Sequence, residues 1–156
     1  MLFLVSFFRN NTDWLTGNYI LNVSVLAFCT AQLVKIIIYS LMNRKLDFSR
    51  LFESGGMPSS HAATVTALVA TVGKVCGTGS PEFAIAAIVA MVVMYDALNI
   101  RRAAGEQAKR INFLMENWQH VNTPEAFERQ LKELLGHTPF QVLIGALMGL
   151  AFGLLI

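Results

Sequence analysis

Apolar positions along this chain fall in long, nearly unbroken blocks separated by shorter polar connections. Four blocks, at about 18–42, 59–76, 81–100 and 138–156, are long enough to read as helices crossing a hydrocarbon core. A core of roughly 30 Å takes about 20 helical residues. The second block is the shortest and consists largely of Ala, Val and Thr, and its Ala63, Ala67 and Ala70 suit close helix packing. It is therefore expected inside a bundle rather than against lipid. The fourth repeats the device as Gly145, Gly149 and Gly153, so both blocks are expected to pack tightly against neighbours.

Between the third and fourth blocks, Ile111, Leu114, Trp118 and Val121 recur at helical spacing. After a second start at Thr123 and Pro124, Phe127, Leu131, Leu134 and Leu135 do the same until Gly136. The segment of about 103–136 thus reads as two amphipathic helices, lying at the headgroup level or against the end of the bundle. His120, within it, reads as a surface residue. The predicted fold is all-α: one integral membrane helical bundle over residues 1–156, with about four transmembrane helices and amphipathic helices on one side.

Composition supports lipid as the solvent. The 156 residues are 54% hydrophobic and 14% charged, with a mean hydropathy of +0.52. A soluble domain carries roughly 25% charged residues. Disorder, collagen-like repeats and a disulfide-stapled secreted module are excluded by the same figures. Cys29 and Cys76 lie in apolar stretches without a nearby sequence partner, so they are expected to be buried, inert thiols. Met1–Arg9 is apolar but lacks a basic start and a small-residue cleavage site, and reads as an interfacial segment rather than a signal peptide.

The net charge of +2 is uninformative until the charges are placed. Of 12 basic residues, nine fall in two connections: Arg44, Lys45 and Arg50 in the first, and Arg101, Arg102, Lys109, Arg110, Arg129 and Lys132 in the third. The connection from Gly77 to Ser80 has no charge. By the positive-inside rule the two basic connections face the cytoplasm of a multi-pass cell-membrane protein. Membrane lipids are the expected partners, nucleic acid is not, and the small-residue helix faces also suit a homo-oligomer.

Polar residues able to do chemistry gather on that same side. Gly55, Gly56, Met57, Pro58, Ser59, Ser60 and His61 lead into the second block. Here a Ser59 or Ser60 cap would direct helix amides at an anion such as phosphate, with His61 placed to donate a proton. Asp96, near the end of the third block, is a carboxylate inside a span and needs a partner such as Arg101 or Lys35. Arg101 and Arg102 suit phosphate oxygens. Gln32 and Lys35 lie one turn apart in the first block, where Lys35 either snorkels to headgroups or reaches a phosphate site. His137 opens the fourth block, ahead of Thr138 and Pro139. Two histidines, guanidinium groups and a helix N-terminus facing one compartment are an inventory for phosphoryl transfer without metal or cofactor.

These motifs resemble the type 2 phosphatidic acid phosphatase superfamily, which includes acid phosphatases and vanadium-dependent haloperoxidases, and in particular its short divergent membrane branch. Pro58-Ser59-Ser60-His61 is similar to the superfamily's Pro-Ser-Gly-His motif, and the run from His137 to Gly145 resembles its last motif. The segment from Tyr95 through Arg102 and the Gly105-Glu106-Gln107 run extend the likeness to the branch. The resemblance implies that His137 attacks phosphorus, His61 protonates the leaving group and Lys35 holds phosphate oxygens. The superfamily's arginine and aspartate fall here on Leu131 and Gln141. Asp96 with Arg101 or Arg102 is expected to fill those roles. The implied function is a lipid phosphatase working through a phosphohistidine. The alternative is a non-catalytic membrane protein whose anion pocket binds lipid or a partner, and a transporter is the weaker third reading.

Overall fold

The computed structural model describes residues 17–44, 56–117 and 137–156, without the side chains of residues 101, 102 and 115–117. Every regular element among the described residues is an α-helix: α1 (Tyr19–Asn43), α2 (Ser60–Cys76), α3 (Pro81–Leu98), α4 (Ile100–Asn117) and α5 (Pro139–Leu155). Met1–Arg9, Gly55, Leu131 and the second amphipathic stretch lie outside the described residues.

Polar caps set the helix starts. The Asn18 side chain accepts from the Leu21 N–H ahead of α1, and Ser59 accepts from Ala62 ahead of α2. Ser80 accepts from Phe83 ahead of α3, where Pro81 occupies the first turn. Each cap satisfies an amide that the helix itself leaves open. Only Asn99 separates α3 from α4, and its carbonyl accepts from the Ala103 N–H, so α4 starts three residues earlier than the expected amphipathic segment.

The bundle is built inside out relative to a soluble protein. Among the described residues the largest fully buried side chains are Thr71, Pro58, Ser59 and Ser60, whereas Leu33, Ile85, Met91 and Leu147 point outward. A protein in water buries its large apolar groups. In lipid, which is as apolar as leucine, close packing of small residues takes over as the organising force. Two hydroxyls of α2 are satisfied locally: those of buried Thr71 and part-buried Thr64 donate to the carbonyls four residues back, at 2.7 Å each. This removes the cost of an unpaired polar group away from water. The chain is an all-helical membrane bundle, in which α1 and the helical run that begins at Pro81 are long and apolar enough to cross a bilayer.

Within the bundle α2 touches α1, α3 and α5. The expected tight packing takes a definite form, because the small residues of α2 and α5 face each other. A Cβ on Gly145 would collide with the Ser59 carbonyl, one on Gly149 with the Ala63 carbonyl, and one on Gly153 with Ala70 and Ala67. Four residues along α5 match four along α2, so the helices run parallel and their N-termini lie side by side.

One expectation changes. Cys29 and Cys76 are exposed rather than buried, since they lie on outward faces while smaller residues take the interior. On α4, Ile111 and Leu114 are exposed, in keeping with the headgroup-level alternative, and the covered residues are Gly105, Ala108 and Asn112.

Candidate functional site

The parallel register of α2 and α5 decides what shares one end of the bundle. The Ser59 N–H donates to the Gln141 carbonyl at 3.1 Å, and the His137 N–H donates to the Ala97 carbonyl of α3 at 3.3 Å. Ala62, Ala97 and Val142 form a buried cluster beneath this junction. They adjoin His61, Asp96 and Gln141 in sequence, so three helices hold these residues at one level. The His61 and His137 rings lie 6.4 Å apart between centroids, tilted by 58°.

His137, just ahead of α5, is 2% exposed. Its Nδ1 lies 3.3 Å from Gln141 Oε1, and the Thr138 N–H donates to the same oxygen at 3.1 Å. Gln141 N–H in turn donates to Thr138 Oγ1 at 3.3 Å, completing a capping box. The other ring nitrogen, Nε2, is buried and makes no hydrogen bond among the described residues.

Burial pushes the pKa of His137 below its ordinary 6.5. The Gln141 hydrogen bond acts the other way, the positive Lys35 and nearby His61 lower it further, and the Gly56 backbone raises it. The balance of these influences favours the neutral imidazole.

Lys35 settles one of the alternatives left by the sequence. It is 4% exposed, so it is enclosed in the bundle rather than reaching out to headgroups. Its stem packs on Gly56, where a Cβ would meet Lys35 Cγ and Cδ at 3.3 Å, and its charge acts on His137. Gly56 has φ +96°, a conformation that suits glycine. Gln32 is half-buried one turn earlier on α1.

The remaining expected residues are placed as follows. Ser59 is the cap of α2, Ser60 is buried at its first position, and His61 follows in the first turn. Asp96 is half-buried near the end of α3. Arg101 and Arg102 lie in the first turn of α4. The structure thus brings Lys35, Gly56, Ser59, His61, His137 and Gln141 to one end of the bundle. Thr138 and the Ala97 carbonyl were not among the expected residues. The Thr-x-x-Gln spacing of a capping box is the signal that marks Thr138.

A small-residue helical bundle in lipid, with two helix N-termini, a buried lysine and a histidine pair at one end, has the makings of an oxyanion site within a membrane protein. Comparison with known proteins gives the family. The model of the divergent PAP2 family matches residues 16–152, and the chain belongs to that family. It is 42% identical over 151 residues to the uncharacterized membrane protein YuiD of Bacillus subtilis (strain 168), a match covering 91% of this chain and 96% of that protein. No solved structure matches.

Proposed function

We propose that this protein is a membrane-embedded phosphatase that removes phosphate from a lipid phosphate or related phosphomonoester at the cytoplasmic face. The observation that carries the reading is the buried Nε2 of His137, without a hydrogen bond among the described residues, with the His61 ring 6.4 Å away between centroids and Lys35 enclosed in the same end of the bundle.

In this mechanism the Nε2 lone pair of His137 attacks phosphorus. The P–O bond to the leaving alcohol breaks as protonated His61 gives its proton to that oxygen. Water then attacks the phosphoryl group on His137, gives up a proton to His61 and breaks the P–N bond, restoring both imidazoles. Lys35 and the amides at the starts of α2 and α5 balance the phosphate charge. The roles of the superfamily's aspartate and arginine are assigned in this reading to Asp96 and to Arg101 or Arg102.

Depth in the bilayer supports a lipid substrate. Lys35 lies eight residues before the end of α1, about 12 Å along the helix. Ile37, Leu41 and Met42 stay outward and apolar over that distance. Tyr95 and Phe140, next in the chain to the site residues, also face outward. Apolar outward surface therefore continues past the level of Lys35, which supports a substrate reached from within the lipid layer rather than from above it.

The non-catalytic alternative draws on one observation: Gln141 offers His137 an uncharged partner where the superfamily has a carboxylate. The test is purified protein in bilayers with a panel of lipid phosphates, beside His61→Ala and His137→Ala. Phosphate release abolished by His137→Ala is expected. Release that survives that substitution removes His137 as nucleophile, and phosphate-sensitive lipid binding without release favours the binding protein.

A further inference from the structure

We infer that Thr138 and Gln141 together position His137 as its Nδ1–H tautomer through an uncharged lock, leaving Nε2 as the lone pair turned to the phosphate. The phosphate-facing part rests on the function proposed above. The tautomer stands on hydrogen bonding alone.

A backbone N–H can only donate. Because the Thr138 N–H meets the Gln141 side chain at 3.1 Å, the atom it meets is the amide oxygen. The same oxygen faces His137 Nδ1 at 3.3 Å, and an amide oxygen can only accept, so Nδ1 carries the hydrogen. This assignment comes from the hydrogen-bond network. Neutral imidazole has one N–H, hence Nε2 holds the lone pair, and Nε2 is the buried atom without a hydrogen bond among the described residues.

Thr138 contributes twice to the lock. Its N–H orients the Gln141 amide, and its Oγ1 accepts from the Gln141 N–H at 3.3 Å, so the cap that starts α5 also aims the amide. A carboxylate at 141 would accept the same two hydrogen bonds but add a negative charge beside the ring. Gln141 keeps the orientation without that charge. Burial, then Lys35 of α1 and His61 of α2 facing the ring, disfavour its protonation and outweigh the Gln141 and Gly56 contacts that favour it, and α3 presents the Ala97 carbonyl to the His137 backbone N–H. The lock therefore preserves a neutral nitrogen lone pair across the neutral pH range, where a carboxylate would draw a proton onto it.

Nitrogen-15 NMR of histidine-labelled protein in lipid nanodiscs tests this, with His137→Gln identifying the signals. Wild-type His137 is expected as the Nδ1–H tautomer. Gln141→Glu should keep that tautomer and move the ring's titration to higher pH. Gln141→Leu should shift the ring toward the Nε2–H form, and Thr138→Ala should do so in part, with Thr138→Ser restoring the wild-type signature. An Nε2–H ring in the wild type, or a Gln141→Glu titration that does not rise, overturns the proposal. The spectra are taken without substrate. A protein with the expected signature but no phosphate release keeps the lock and loses the phosphatase reading.

Discussion

The backbone N–H of Ser59 donates to the carbonyl of Gln141 at 3.1 Å, joining the cap of one helix to the first turn of another. Parallel helices that meet at their N-termini concentrate positive ends of two dipoles. Their approach depends on Gly145, Gly149 and Gly153, which leave the facing backbone no room for a side chain.

A methyl group on that seam should therefore be costly. Gly149→Ala is expected to lower stability by about 1–3 kcal/mol, the range for overpacking a close contact. Gly79→Ala, where nothing lies within 4 Å, should be neutral. Denaturation in detergent compares them, and equal stability of the two variants would refute the close approach.

At Gly56 two demands coincide, a φ of +96° and contact with the Lys35 stem at 3.3 Å from an added Cβ. Gly56→Ala should cost roughly 1–2 kcal/mol for the left-handed backbone and weaken phosphate inhibition by displacing Lys35. Unchanged inhibition would mean that Gly56 does not set the position of the lysine.

Lys35→Met removes an enclosed cation of similar length. Loss of a charged hydrogen bond of about 1.5–3 kcal/mol corresponds to roughly 10- to 100-fold weaker binding of phosphate or vanadate. Because Lys35 lowers the His137 pKa, that pKa should also rise. Titration calorimetry and NMR read the two effects separately, and loss of neither would remove Lys35 from the site.

The depressed His137 pKa has a definite sign in pH profiles. The neutral ring is the nucleophile, so kcat/KM should hold as pH falls through 6.5 and decline only below it, through the lowered folded-state value. In the unfolded chain the ring takes up its proton near 6.5. The His137 contribution to stability is thus intact above that pH and diminishes as pH falls from 6.5 toward the folded-state pKa. An acid limb above pH 6.5 that disappears in His137→Gln would contradict the shift.

The helices were legible in the sequence because apolar length and polar caps are local signals. Blocks at 18–42 and 59–76 became α1 (Tyr19–Asn43) and α2 (Ser60–Cys76), and Ser59 is the cap. Pairing was not legible: the stripes at Ala63 and Gly149 announce close packing without saying that they meet each other. Nor does periodicity tell which face of an apolar helix points to lipid, which is why Cys29 and Cys76 were expected inside yet lie outside. For Lys35 the sequence left open two reaches of a long side chain, and the fold selects the inward one. The tie between Thr138 and His137 was within reach as a capping-box spacing, but its meaning for the imidazole needed the third partner in place.

The central claim is that His137 carries the phosphoryl group during turnover. Rapid acid-free quenching of wild-type protein with a labelled lipid phosphate, followed by peptide mass spectrometry, tests it most directly. An acid-labile, base-stable phosphate on the peptide containing His137, absent in His137→Ala and accumulating in variants that slow its hydrolysis, is the predicted result. Turnover with no phosphate on that residue, or label on His61 instead, would contradict the account.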